Sequence, residues 1–266
     1  MNWSDRALVL GGRPHGETGV ILELMTQERG RHLGLVHGGR SRRLRAVLQP
    51  GNTVLATWRA RLDEQLGSYT IEGERLRAAR LIGSPLALFG VATLAAHLRL
   101  LAERDPHSDL FGAAETLVEH LDHAASAPGL FARFELMLLA ELGFGLDLAS
   151  CAASGASRDL VYVSPRSGRA VSRQAGEPYR ARLLALPAFL TGEDPRHVPD
   201  LAEVTAALRL TGHFLGAHVY GPRGILQPEE RTRFIALVTG GRQRDDPAKL
   251  DARGADTTDS VLDDQT

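Results

Sequence analysis

The sequence predicts an α+β chain, with a small all-β unit over residues 1–80 and a mainly helical body over residues 81–240. Two observations carry this. The first part alternates short apolar runs with clusters of turn residues, too closely spaced for helices. Beyond Gly83 the apolar residues recur at the longer period of amphipathic helices. The composition, 43% hydrophobic and 24% charged over 266 residues, is that of an ordinary globular protein and leaves room for one large domain or two to three small ones.

In chain order, strands are expected at residues 6–10, 19–25, 31–36, 53–61 and 68–72. They are broken at residues 11–16, at Gly38-Gly39, at Pro50-Gly51-Asn52 and at Gly67, a spacing that suits a small barrel or sandwich. Alternation along residues 54–61 puts Val54, Ala56, Trp58 and Ala60 on one face and Leu55, Thr57, Arg59 and Arg61 on the other. Ser84-Pro85 reads as an N-cap followed by proline at the first helical position, opening a helix expected to run to residue 104. Residues 109–121 continue with a stripe of Leu110, Ala114, Leu117 and Leu121, and residues 128–142 are apolar almost all round, as befits the central helix of a bundle. Residues 149–174, rich in Ser, Gly and Arg around the strand-like Leu160-Val161-Tyr162-Val163, are expected to form a small irregular insert or hairpin. Helical signals return at residues 179–190, after the capping box Asp200 to Glu203, and from Pro228 to Gly240. Residues 241–266 have few apolar side chains and are expected to be disordered.

Several function classes are disfavoured. No apolar run approaches the ~18 residues of a membrane span, and the N-terminus lacks the pattern of a signal peptide, so a cytoplasmic location is expected. Cys151 is the single cysteine, which rules out an internal disulfide and a cysteine-only metal site. The common catalytic spacings are absent. His97, His120, His123, His213 and His218 fall in helical runs and are expected in structural or solvated roles; His213 and His218 are spaced i, i+5, which suits no shared ligation. A hydrolase built from scattered His and Asp residues therefore has no spacing behind it.

The net charge of −1 conceals an uneven distribution. Residues 1–80 hold thirteen arginines against eight acidic residues, while residues 241–266 hold four basic against seven acidic ones. Arg40, Arg42, Arg43 and Arg45 stand within six residues and have no acid among them. Like charges so close are either a solvated loop or a phosphate-tracking patch, and the density favours phosphate. Arg31, Arg59 and Arg61 on neighbouring strands extend the patch. With only Trp3, Trp58 and Tyr69 nearby, stacking on bases is a minor term, so binding should be salt-sensitive and indifferent to sequence. Arg133 begins an apolar helix with no acid three or four positions away, so it either reaches solvent or a distant carboxylate, or lines a pocket for an acidic peptide. Arg99 has Glu103 at i+4 as a structural partner.

Residues 134–148, then Cys151-Ala152-Ala153-Ser154-Gly155 and Val163-Ser164-Pro165-Arg166-Ser167-Gly168, resemble the RecO family of DNA repair proteins. Upstream, Leu8-Val9-Leu10, Gly16-Glu17-Thr18, Gly30-Arg31-His32, Gly38-Gly39-Arg40-Ser41 and Leu48-Gln49-Pro50-Gly51 occur in that family's order. The resemblance spans residues 5–240. It implies an N-terminal OB-fold barrel, a helical domain, and a zinc-ribbon-like insert at residues 149–174, in a recombination mediator without catalytic centre. It also implies binding of single- and double-stranded DNA, strand annealing, and partnership with RecR, with the acidic tail of single-stranded-DNA-binding protein (SSB), and indirectly with RecA. Carried over, DNA contacts fall on Arg40, Arg42, Arg43 and Arg45, and the SSB-tail pocket on Arg133. The family's four zinc positions fall at Cys151, Ser154, Val171 and Gln174. Three of these are not ligands, so no zinc and no other cofactor is expected, and the insert must be held by packing around Leu160, Tyr162 and Val171. An RNA-binding or protein-binding adaptor is the alternative reading.

Overall fold

In a computed structural model of the chain, residues 1–192 and 197–240 are described. The expected disorder of residues 241–266 lies outside them.

Strands β1 (Asn2–His15), β2 (Gly19–Thr26), β3 (Gly30–Val36), β4 (Thr53–Arg59) and β5 (Ser68–Arg75) close into a barrel of order β1-β2-β3-β5-β4, with β1 returning to β4. The expected strands are all present, but β1 is far longer than residues 6–10. Gly11-Gly12 does not end it; the ladder with β2 passes through a bulge between Val9 and Gly11 and continues to His15. Closure rests on a short parallel pairing, Leu35 with Ser68 and Val36 with Tyr69. Helix α1 (Arg42–Val47) lies between β3 and β4. Ala7, Val9, Leu22, Leu24, Val54, Ala56 and Trp58 fill the barrel. Leu55 and Arg59 face out as the alternation predicts, although β4 stops short of Arg61.

The outer face of β1 and β2 is also covered. Leu8, Leu10 and Met25 join the second core, built on α2 (Ala78–Ile82), α3 (Pro85–Leu98), α4 (Ser108–His120), α5 (Ala127–Glu141), α7 (Leu201–Phe214) and α8 (Glu229–Val238). The Leu8-Val9-Leu10 run is continuously apolar because both of its faces are buried. The Ser84 cap and the Asp200–Glu203 capping box form as expected. Helix α3, however, ends at Leu98 rather than residue 104. Residues 99–107 leave the helix to cover the barrel, with Arg104 at φ 63° and Pro106 excluding helical geometry from Asp105. Gly30, at φ 66°, makes this approach possible, since a methyl group there would overlap the Asp105 carbonyl.

The insert is a three-stranded sheet, β7 (Ala170–Ser172), β6 (Leu160–Val163) and β8 (Leu184–Ala185). Leu160, Val163 and Val171 are buried and Tyr162 packs against the same core. After the short α6 (Arg173–Gly176), the helix expected at residues 179–190 is replaced by two 3-10 turns, Glu177–Arg182 and Ala188–Leu190, with β8 between them. Pro178 and Pro187 interrupt the helical hydrogen bonding there. Helix α7 continues into a π-helical turn, Leu215–Tyr220.

Candidate nucleic-acid interface

The arginine run is held by its backbone. After Val36 the chain turns at Gly38, and the Arg40 N–H donates to the Thr18 carbonyl (3.1 Å) while its guanidinium donates to the Glu17 carbonyl (2.9 Å). The Ser41 hydroxyl accepts from the Leu44 N–H and opens α1. At 100° per residue, Leu44, Val47 and Leu48 share one side of the helix, and they pack onto the barrel core. Arg42, Arg43 and Arg45 are thereby turned to solvent. The other end of α1 is closed by the buried Asn52, whose amide donates to the Ala46 (3.0 Å) and Val47 (2.9 Å) carbonyls while its oxygen accepts from the Ala78 N–H (2.9 Å). One side chain thus ties the cationic helix to the barrel and to the first helix of the second domain. Sequence reasoning took Asn52 only for a turn residue.

The arginines of residues 1–80 differ in their partners, and Arg13, Arg29 and Arg75 are exposed with no carboxylate partner among the described residues. Arg6, Arg31, Arg77 and Arg80 are ion-paired: Arg6 with Glu74 and Glu115, Arg77 with Glu115 and Glu119, Arg80 with Glu119 and Asp122. Arg31, expected in the phosphate patch, is instead half-buried, paired with Glu23 (2.9 Å) and Glu103 (3.4 Å) and donating to the Leu101 carbonyl. Its acids come from the neighbouring strand and from the covering segment, which sequence spacing could not reveal. That segment also overturns the Arg99–Glu103 pairing: Arg99 reaches Glu23 (2.7 Å) across the domain junction. By contrast, Arg40, Arg42, Arg43, Arg45, Arg59 and Arg61 are exposed, and none has a carboxylate partner among the described residues. Arg59 lies at the opposite end of β4 from α1, about 20 Å along the strand. Across the sheet it neighbours Ser68, which neighbours Leu35, so a lateral path leads from Arg59 back toward the segment holding Arg40. The structure gathers the four-arginine run and sets Arg59 and Arg61 apart from it.

The barrel aromatics face inward rather than outward. Trp3 stacks on Trp58 with centroids 5.7 Å apart, and the Tyr69 hydroxyl meets His32 Nδ1 at 2.8 Å. Burial and the nearby Arg104 lower the His32 pKa to about 4.

Arg133 is exposed on α5. It donates to the Phe189 carbonyl (2.9 Å) and lies over the Phe189 ring (5.6 Å). With Gly129, Leu130, Phe189, Val198 and Pro199 it borders an apolar groove of about 370 Å³.

In the insert, the Cys151 sulfur accepts from the Ser172 N–H (3.2 Å). Burial pushes the thiol up, but hydrogen bonds from Ser154 and Ser172 bring it down to about 6. Val171 packs its side chain in the core. One thiol among hydroxyls does not match the nitrogen and sulfur donors of a structural zinc site.

The family description "Recombination protein O N terminal" matches residues 1–75, and "Recombination protein O C terminal" matches residues 88–226. The chain belongs to the RecO family. Among its relatives, a protein of Methylorubrum populi named DNA repair protein RecO is 61% identical over 246 residues, covering 91% of this chain and 100% of its own length. The RecO of Mesorhizobium japonicum is 57% identical over 239 residues, covering 90% of this chain and 94% of its own, and that of Rhizobium etli is 57% identical over 235 residues, covering 88% and 91%. The two matches fall on the barrel and on most of the helical domain with its insert, while α2 and α8 lie outside them. Among the described residues no helix is long and apolar enough to cross a membrane.

Proposed function

We propose that this RecO family member is a non-enzymatic recombination mediator. It binds single- and double-stranded DNA through Arg40, Arg42, Arg43 and Arg45, with Arg59 and Arg61 at the far end of β4 as a separate phosphate contact. The single observation that carries this reading is that α1 presents Arg42, Arg43 and Arg45 together to solvent without carboxylate partners among the described residues, whereas Arg6, Arg31, Arg77 and Arg80 are ion-paired. Cationic side chains that screen two phosphate backbones lower the repulsion between complementary strands, so annealing requires no nucleotide hydrolysis. The Arg133 groove fits the acidic tail of SSB, apolar side chains entering beside Phe189 and carboxylates meeting the guanidinium. RecR is the partner through which such a protein helps load RecA, at gaps in nucleoid DNA in the cytoplasm.

Annealing of complementary oligonucleotides without ATP tests this. The chain should accelerate annealing, and the quadruple substitution Arg40→Ala, Arg42→Ala, Arg43→Ala, Arg45→Ala should abolish the acceleration with thermal stability unchanged. Unaltered annealing by the variant would remove α1 from the site, and a preference for structured RNA over single-stranded DNA would favour an RNA-binding adaptor instead.

A further inference from the structure

The segment after Gly240 is acidic, and it contains one adjacent aliphatic pair, Val261-Leu262, preceded by Asp259 and followed by Asp263 and Asp264. The Arg133 groove has the complementary character. Its walls are apolar at Gly129, Leu130, Phe189, Val198 and Pro199, and its rim carries Arg133, which has no carboxylate partner among the described residues. His197, also on the wall, is held by Glu203 at 2.7 Å.

The direction of α8 brings the two together. Near its start, Arg231 bonds Glu135 of α5 at 2.6 Å; three residues later Phe234 packs on Phe131, centroids 4.7 Å apart, one turn earlier in α5. The two helices therefore run antiparallel, and the C-terminal end of α8 points toward the end of α5 where Ser126, Gly129, Leu130 and Arg133 border the groove. From Phe234 to Gly240 is about 9 Å of helical rise. The twenty-one residues from Gly240 to Val261 can reach at most about 70 Å, ample to return to the groove.

We propose that the chain's own acidic segment docks in the Arg133 groove, with Val261 and Leu262 against the apolar wall and the flanking aspartates facing Arg133. It thereby holds the groove against acidic peptide partners until one displaces it. The regulatory consequence rests on the reading of the groove as a peptide site; the docking itself does not. A tethered segment acts at an effective concentration on the order of millimolar, so even a weak contact raises the partner concentration needed for occupancy.

The test compares two full-length chains, the unaltered one and a variant carrying Asp259→Asn, Val261→Ser, Leu262→Ser, Asp263→Asn and Asp264→Asn. Fluorescence anisotropy follows a labelled peptide of residues 255–266. For a tethered contact with an affinity on the order of 100 µM, the peptide should bind the variant about tenfold more tightly than the unaltered chain. Adding Arg133→Ala should erase the gain, with melting temperature unchanged because Arg133 is exposed. Equal binding to both chains would overturn the proposal. So would a gain that survives Arg133→Ala and vanishes with Arg42→Ala, Arg43→Ala and Arg45→Ala, which would place the segment on α1. A second labelled peptide, with the acidic C-terminal sequence of an SSB, separates the two claims. If it binds both chains equally through Arg133, the partner reading stands and the docking falls. If it binds neither while the chain's own peptide shows the Arg133-dependent gain, the docking stands and the partner reading falls.

Discussion

Glu135 is the most enclosed charge among the described residues and sets the terms on which the helical domain folds. It accepts from Arg231 (2.6 and 2.9 Å), from Thr211 and from His97, whose other ring nitrogen meets the Tyr220 hydroxyl (2.8 Å). Burial alone would push the carboxyl up, but Arg231 and His97 together hold it down at about 2. A depressed carboxylate stabilises the fold at any pH above its unfolded value, near 4.5, and that stabilisation disappears as pH falls toward 2. Glu135→Gln would leave the Arg231 guanidinium uncompensated and should cost about 3–5 kcal/mol in urea unfolding at pH 7, with a flatter stability profile between pH 4.5 and 2. A change below 1 kcal/mol would show that the cluster is not what holds α8. In the sequence the apolar surroundings of Glu135 mark α5 as central, and His97 reads as a structural histidine. The third partner, Arg231, lies 96 residues away from Glu135, and no local pattern announces it.

At the scale of elements, strands and helices with capping signals were legible, and elements defined by tertiary contact were not. Ser84, the Asp200–Glu203 box and the β4 alternation as far as Arg59 are local and survive folding. Helix α1 was hidden because four arginines and a glycine pair read as a loop, and only the packing of Leu44 and Val47 on the barrel makes it a helix. Asn52 anchors it. Asn52→Ala would leave two carbonyls and the Ala78 N–H without their partner, costing about 2–3 kcal/mol, and should weaken DNA binding although no charge is removed. Unfolding curves and binding curves of this variant check the two halves of that statement separately. If stability falls while affinity holds, α1 tolerates loosening and its precise placement is unimportant to binding. The β3–β5 pairing shows the other limit. Two residue pairs decide between barrel and sandwich, too short a contact for spacing to reveal.

Across the whole molecule, charge is divided between structure and surface. Buried Arg77 bonds Glu115 (3.2 Å), Glu119 (2.7 Å) and Thr53 (2.7 Å), joining barrel to helices, and Arg31 and Arg99 share Glu23 at the second seam. Arg77→Met should destabilise the junction by about 3–5 kcal/mol and split calorimetric unfolding into two transitions; a single transition at unchanged temperature would contradict this role. What these pairs leave exposed is a surface whose cations lack carboxylate partners among the described residues, and the central claim is that DNA phosphates supply the counter-charge. The most direct measurement is the salt dependence of binding to labelled single-stranded DNA, for the unaltered chain and for Arg42→Ala, Arg43→Ala and Arg45→Ala introduced one at a time and together. Each substitution should flatten the log–log slope by about 0.7, and all three together by about 2. A slope unmoved by the triple variant would contradict the account.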